Sequence, residues 1–438
     1  MVSLNEDEVA TLDNTPCNSL PIDVSSEKST LSSFLKIIST KVPTVSSIPK
    51  PVRLDVLKEL TRVNNLVISD TLNLQNLAYL LMFSKCVLRR LPSSNINARK
   101  KRKIQIALIR DSLRKWCLGT ESRKRLWIEV CSLSNNSRDA SSVFNQLDED
   151  SQFIKNVARA KILASQGRLS DALKALESAG FATMSEEVLG ILSEKHPYAP
   201  PTSCFSTAEC VSWTSSTESV KEKALSFNSG SAAGLDGFHP QYFKDLNSVK
   251  VSDALISFWS SQTNLVNISL HGKLPPIFSD VLGAANLIAL LKKDGGIRPI
   301  AVSLVWRRLV SKIVNGKVIK KARDLFKNQV GCGTPGGAEA VIFAVQKVIT
   351  DMGDNIDKVL FKVDFANAFN TVSRSKMFEA VNKYLPEILS WVQYIYSNTP
   401  YLVCNNSNVL KSYTGTQQGD PLGPLLFCLV ILRSFRKD

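Results

Sequence analysis

The sequence predicts an α+β chain, with a helical, basic N-terminal region followed by a region that mixes helices and strands. Three observations carry this. Apolar residues keep helical spacing from about residue 52 to 195, as in Leu57, Leu60, Val63 and Val67 and again in Leu77, Leu80, Leu81 and Val87. A Pro/Ser/Thr-rich stretch from Pro197 to about Ser219 reads as a linker. Beyond it, strand-length apolar runs alternate with helices, the pattern of α/β or α+β architecture. A length of 438 residues leaves room for about two or three domains. The expected divisions are a disordered lead over 1–51, rich in Ser, Thr, Asn and Pro, then a helical, basic region over 52–196, the linker over 197–222 and the mixed region over 223–438.

The net charge of +15 and pI near 9.4 favour a polyanionic partner, nucleic acid before anionic membrane. No stretch reaches the ~20 apolar residues of a membrane-crossing helix. The best candidate, Leu77 to Leu91, is broken by Lys85, Arg89 and Arg90. Asn5, Glu6, Asp7 and Glu8 after Met1 do not form a signal peptide. The nine cysteines are scattered, with only Cys204 and Cys210 close together, and His196, His239 and His271 lie far apart. Structural zinc is therefore not expected. Reduced thiols in a nuclear or cytoplasmic setting are the simplest reading.

Within the helical region, Arg99, Lys100, Lys101, Arg102 and Lys103 form a basic run, followed by Arg110, Arg114, Lys115, Arg123, Lys124 and Arg125. Trp116 and Trp127 interleave with them. Cations that neutralise phosphates and rings that stack on bases suit nucleic acid. The first five residues equally suit a nuclear localisation signal, and the whole stretch a solvated helix face over two core tryptophans. Ala158 to Phe181 reads as a helical hairpin turning at Gln166-Gly167.

Three later segments carry chemistry. The run Val359-Leu-Phe-Lys-Val-Asp-Phe-Ala-Asn-Ala-Phe369 is expected to be a buried strand that delivers Asp364 to its end, with Ser373 capping the next helix. An acid there can hold Mg²⁺, which prefers one or two carboxylates together with substrate phosphates. The stretch from Gly415 to Phe427 (GTQQGDPLGPLLF) is a glycine loop feeding an apolar helix started by Pro424. In it, Gly419 permits close backbone approach and Gln418 offers both donor and acceptor. Finally, Asp294-Gly295-Gly296 is hairpin-turn chemistry between Leu287–Leu291 and Ile297–Ile300. Lys292, Lys293 and Arg298 around that tip suit a triphosphate.

The order of these parts resembles the reverse transcriptases of non-LTR (LINE-like) retrotransposons. Further segments are similar to that family: Ser231-Ala-Ala-Gly-Leu-Asp-Gly-Phe-His-Pro240, Arg298–Val302 with Trp306–Val310, and the glycine-rich stretch Gln329–Ala340. The helical hairpin with His196-Pro197 looks like the region often preceding this polymerase. The resemblance covers about residues 150–432. It implies the fingers and partial palm of a right-hand polymerase after residue 223, acting on an RNA template and DNA primer with deoxynucleoside triphosphates and Mg²⁺. It also implies roles. Asp364 would be the first metal-binding carboxylate, and Phe369 the bulky residue under the incoming sugar. Gln418 and Gly419 would shape the nucleotide pocket, and Lys292 and Arg298 would contact the triphosphate, with Lys293 an alternative to Lys292.

The sequence also departs from the family pattern. Asn370 stands where many relatives have Asp, and Gly423 where many have Ser. The family's second carboxylate set, an aromatic-x-Asp-Asp hairpin, does not occur before Asp438, and neither do a thumb or an endonuclease segment. Two-metal catalysis needs carboxylates from two places holding ions about 3.5–4 Å apart. The 438 residues alone are therefore expected to lack polymerase activity, with two alternatives kept open: a non-catalytic nucleic-acid-binding remnant, or an aggregation-prone relic with uncovered sheet edges.

Overall fold

The computed structural model describes residues 10–11, 23, 25–92, 96–136, 149–165, 167–206, 213–326, 329–353, 359–404 and 408–435. Cys210, Gln166 and most of the first 24 residues lie outside this set.

Five helices open the chain: α1 (Glu27–Ser39), α2 (Arg53–Ser69), α3 (Leu74–Val87), α4 (Ala98–Cys117) and α5 (Thr120–Asn136). Local chemistry places their starts. Ser26 and Ser29 form a reciprocal capping box at α1, and the Asn73 and Asn97 side chains accept from backbone N–H groups at α3 and α4. Helix α1 falls inside the stretch expected to be disordered. Phe34, Ile37 and Ile38 are buried there, so three apolar residues at helical spacing order a segment of otherwise polar composition.

The expected helical hairpin is α6 (Glu149–Ser165) against α7 (Leu169–Leu176), with Gly167 in the left-handed region (φ 73°) between them. Next come α8 (Glu186–Glu194) and α9 (Thr217–Leu225), then α10 (Gln241–Asn247), α11 (Ser252–Leu270) and α12 (Phe278–Gly283). Helix α9 begins within the expected linker, and its Val220 and Ala224 are buried.

The expected hairpin is β2 (Ala285–Leu291) paired antiparallel with β3 (Ile297–Ser303), in register from Ala285↔Ser303 to Leu291↔Ile297. Gly295 (φ 78°) closes its turn. On β3, Ile297, Pro299, Ala301 and Ser303 are buried while Arg298 faces solvent, as period-two alternation requires. The remaining elements are α13 (Val305–Leu325), α14 (Gly337–Met352), α15 (Ala368–Thr371), α16 (Arg374–Tyr384), α17 (Leu389–Tyr396), β4 (Tyr401–Val403), β5 (Asn408–Lys411) and α18 (Gly423–Phe435). With β1 (Ala10–Thr11), the strands order as β1-β5-β4-β2-β3, parallel only between β2 and β4.

Regions expected to be separate share one apolar core, from Phe34, Leu57, Trp116 and Trp127 to Phe258, Val310, Phe378 and Leu429. Asp245 fastens the two halves. It accepts hydrogen bonds from Ser47 Oγ (2.9 Å), Ile48 N (2.7 Å) and Arg53 Nη2 (2.8 Å). Among the described residues, no helix is long and apolar enough to cross a membrane.

The strand expected over Val359–Val363 is not formed. These residues form neither helix nor strand and are exposed, Val359 at 87% and Phe361 at 85%. A strand exists only where a neighbour takes its backbone hydrogen bonds, and no described strand lies beside this run. Helix α14, just before it, likewise leaves Val341, Phe343 and Ile349 exposed.

Lys85 is buried without a carboxylate partner. Its Nζ donates to the carbonyls of Ile37 (2.6 Å), Ile38 (3.3 Å) and Thr40 (2.8 Å) and so caps the end of α1. Burial pulls this ammonium down to about 8. Between that value and the usual lysine range the unfolded chain binds more protons than the folded one, so stability rises with pH there, by up to roughly 3 kcal/mol. Chemical denaturation of wild type from pH 8 to 10 is expected to show this rise, and Lys85→Met to flatten it.

Candidate nucleotide site

The loop between β5 and α18 is the centre of the site, and two glycines let it approach backbone closely. A Cβ on Gly415 (φ 68°) would lie 2.2 Å from the Asn370 carbonyl carbon, and one on Gly419 (φ 135°) 2.4 Å from the Ala301 oxygen. Ala301 N donates to Gln418 O at 2.9 Å, and Thr416 N to Phe369 O at 2.6 Å. The loop is thus stapled on one side to β3, three residues beyond Arg298, and on the other to the turn that carries Phe369. Gly419, expected to make room for a base or sugar, spends its missing side chain on β3.

Beneath the loop lies a buried polar network that the sequence reading did not single out. Arg307 and Asp420, with side chains 0% and 1% exposed, pair at 2.7 Å. Arg307 Nη1 also donates to Gln417 Oε1 (2.7 Å) and Gly283 O (2.6 Å). Tyr396 OH donates to Asp420 Oδ2 at 2.7 Å, and Leu422 N to Asp420 Oδ1 at 2.9 Å. Burial works against the Arg307 charge, but Tyr396 and Asp420 outweigh it and hold the guanidinium above its ordinary value. Burial first, and then the Asp420 carboxylate, push the Tyr396 phenol up.

A second buried guanidinium holds the loop's start. Arg374 donates to Gly415 O (3.1 Å), Asn398 O (2.8 Å) and Ser412 Oγ (2.9 Å), and burial lowers it to about 10. Both arginines lie over the Tyr396 ring. The available signal was a charge in each of two apolar contexts, Arg307 in Trp306-Arg-Arg-Leu-Val310 and Asp420 before an apolar helix, but their 113-residue separation hides the pairing.

The turn holding Phe369 has its own device. Asn367 sits at φ 54°, the one described non-glycine residue at positive φ. Its Oδ1 accepts from Asn370 Nδ2 (2.9 Å), and its Nδ2 donates to Lys195 O (2.7 Å). Asn tolerates this region better than most residues. Asn367→Ala is expected to cost roughly 1–2 kcal/mol and Asn367→Gly less, read from denaturation midpoints.

Of the expected substrate residues, Phe369, Gln418 and Gly419 are joined by these contacts, while Arg298 lies three residues along β3 from Ala301 with its side chain in solvent. The Phe369 ring packs 5.6 Å from that of Phe427 on α18, and Phe365, next to Asp364, packs 5.7 Å from the same ring. Lys292 is exposed at the hairpin tip, while Lys293 pairs with Glu177 of α7 at 3.0 Å. Asp364 is exposed on the unpaired run rather than at the end of a buried strand, and makes no hydrogen bond or ion pair with the described residues.

The basic N-terminal residues divide. Trp116 and Trp127 are 0% and 2% exposed, so neither can stack on a base. Arg123 is buried, with its guanidinium over the rings of Tyr79 and Trp116 and Nε donating to Trp116 O (2.9 Å). Lys115 pairs with Asp111 and Glu129, and Lys124 with Glu121. Arg99, Lys100, Arg102, Lys103 and Arg125 are exposed, and Lys101 is half-buried.

The hairpin, the glycine loop bonded to it and the adjoining aromatic turn are segments on which the sequence resemblance rested. Residues 290–437 match the family model of reverse transcriptase (RNA-dependent DNA polymerase). Residues 290–437 carry a reverse transcriptase domain. The chain is similar to the Retrotransposable element SLACS 132 kDa protein of Trypanosoma brucei gambiense, at 27% identity over 229 residues, 50% of this chain. The match spans 18% of that relative.

Reverse transcriptases act with a nucleic-acid template, nucleotide substrates and divalent metal ions. Among the described residues of this one, no group of three His, Cys, Asp or Glu side chains could hold a metal. Asp364 stands alone, and Asp420 is committed to Arg307 and Tyr396. The described carboxylates therefore do not fit a two-metal centre.

Proposed function

We propose that residues 223–435 hold the incoming deoxynucleotide and template of an RNA-directed DNA polymerase of the non-LTR retrotransposon class. The observation that carries this reading is the Gln418–Gly419 loop stapled to β3, which sets Gln418 and Phe369 beside the strand bearing Arg298. Lys292 and Arg298, both exposed on the hairpin, meet the triphosphate as opposite charges. Phe369 lies under the sugar, and Gln418 offers a donor and an acceptor to the base pair. Asp364 contributes one of the carboxylates that bind Mg²⁺. The primer is DNA and the template RNA.

One carboxylate cannot organise two metal ions, and groups that act as a unit fail together. The 438-residue polypeptide on its own therefore binds but does not polymerise. The exposed apolar surface of α14 and 359–365 is where the second carboxylate hairpin packs when it is supplied, since burying that surface is favourable.

Photo-cross-linking with an azido-deoxynucleotide in the presence of an RNA template and DNA primer tests the site. Label is expected on peptides containing Arg298 and Gln418, weakened about tenfold or more by Arg298→Ala. Label confined to other peptides and indifferent to that change would overturn the reading.

A further inference from the structure

The N-terminal helices form a cavity that uses none of residues 290–437. Segment 41–43, the chain just past α3, and helices α4 and α5 enclose about 460 Å³, within the usual size of a small-ligand pocket. Its walls include the apolar residues Val42, Leu91, Leu108, Val130 and Leu133. Lys41, Arg89 and Arg90 are charged, and none of the described lining residues is acidic. Arg89 Nη2 bonds Glu129 at 2.6 Å, yet its Nε is buried without a hydrogen-bond partner. Arg90 is exposed. An apolar hollow edged by cations fits an apolar or flat group attached to an anion.

Helix α4 extends that charge in one direction. Gln105 pins it to the cavity wall, accepting from Leu91 N (2.9 Å) and donating to Arg89 O (2.9 Å). Lys101, Gln105 and Leu108 follow the helical spacing of four and three, so they lie along one face. The cationic first turns begin at Arg99, about 14 Å along the axis from Leu108 at 1.5 Å per residue. A row of that length suits consecutive phosphates better than a single headgroup.

We infer that this cavity receives an unstacked base of single-stranded nucleic acid, whose phosphates run past Arg90 and along the start of α4. None of the described lining residues is aromatic, so among them the base is held by apolar contact and exclusion of water rather than by stacking. On α4 the path follows Lys101, the half-buried cation on the cavity's face of the helix, with the exposed Arg99, Lys100, Arg102 and Lys103 turned to the other faces of the same turns.

The test uses the full chain and a short fluorescent oligouridylate with one 4-thiouridine. Cross-links are expected on peptides carrying Leu91 or Leu108. Leu108→Glu should weaken binding roughly tenfold or more, while Leu118→Glu, the same charge change at an exposed position outside the cavity, should weaken it by no more than about twofold. Lys101→Ala should lower the salt dependence by about one phosphate contact. Melting curves identify a variant that fails to fold, and the cross-link on unaltered protein then decides.

Cross-links confined to peptides outside the cavity would overturn the inference, as would equal losses in the two glutamate variants. Anionic phospholipid vesicles captured in a Leu108→Glu-sensitive way, with no oligonucleotide cross-link in the cavity, would assign the hollow to lipid and also overturn it. Since no incorporation is read, failure here leaves the polymerase reading standing, and failure of nucleotide labelling leaves this one standing.

Discussion

Replacing Asp420 by alanine is expected to cost about 3–5 kcal/mol of folding stability, the largest loss available from a single charged side chain here. The change leaves the Arg307 guanidinium fully enclosed, with only the Gln417 and Gly283 oxygens for company, and takes away the acceptor of Tyr396 OH. The cost comes from the stranded charge rather than from the lost attraction. Arg307→Met combined with Asp420→Leu, which removes both charges, should therefore lose much less than the two single changes added together. Urea denaturation of the four proteins measures this coupling. Additive losses would mean that the pair is not a unit. The same cycle read through nucleotide cross-linking should show labelling lost with either single change, because the network supports the loop that carries Gln418.

Gly419→Ala is expected to be the most damaging small substitution for nucleotide binding. Two effects combine: a backbone angle that L side chains rarely adopt, and a Cβ placed 2.4 Å from the Ala301 oxygen. That oxygen belongs to a strand held in register with β2, so the loop must move instead. Displacing it breaks the bond from Ala301 N to Gln418 O and shifts Gln418. The expected stability loss is roughly 3 kcal/mol. Nucleotide capture should fall about a hundredfold, the usual scale for a misplacement of an ångström in a reacting site. Gly295→Ala is the matched control. It has a similarly positive φ of 78° but nothing within 4 Å of the added carbon, so only the backbone strain of about 1–2 kcal/mol remains. Thermal unfolding together with nucleotide labelling separates the two.

What could be read from the sequence was what local chemistry decides. Asp294-Gly295-Gly296 announced the hairpin because a tight turn needs a residue free to take positive φ. Ser373 announced α16 through its side chain, which accepts from Lys376 N. The Gly415–Gly419 loop stood out for its glycines, although the partner of Gly419 proved to be β3. The misses share one cause: they depend on what lies next to a segment in space. Val359–Val363 has strand composition, but a strand is a pairing and no described strand meets it. Trp116 and Trp127 sit among cations in the chain, yet the helices turn both into the core and turn Arg123 in after them. Helix α1 lies in a polar stretch whose three buried residues only the folded neighbours reveal. Arg307 and Asp420 form the most consequential pair in the site, and nothing in either local sequence names the other.

Primer extension on an RNA template with Mg²⁺, with the 438-residue polypeptide alone and the same polypeptide joined to an aromatic-x-Asp-Asp hairpin segment, asks whether these residues hold a nucleotide for chemistry that needs a second carboxylate set. The expected result is no extension from the first and extension from the second that Asp364→Ala abolishes. Extension by the 438 residues alone, or extension by the joined form that survives Asp364→Ala, would contradict it.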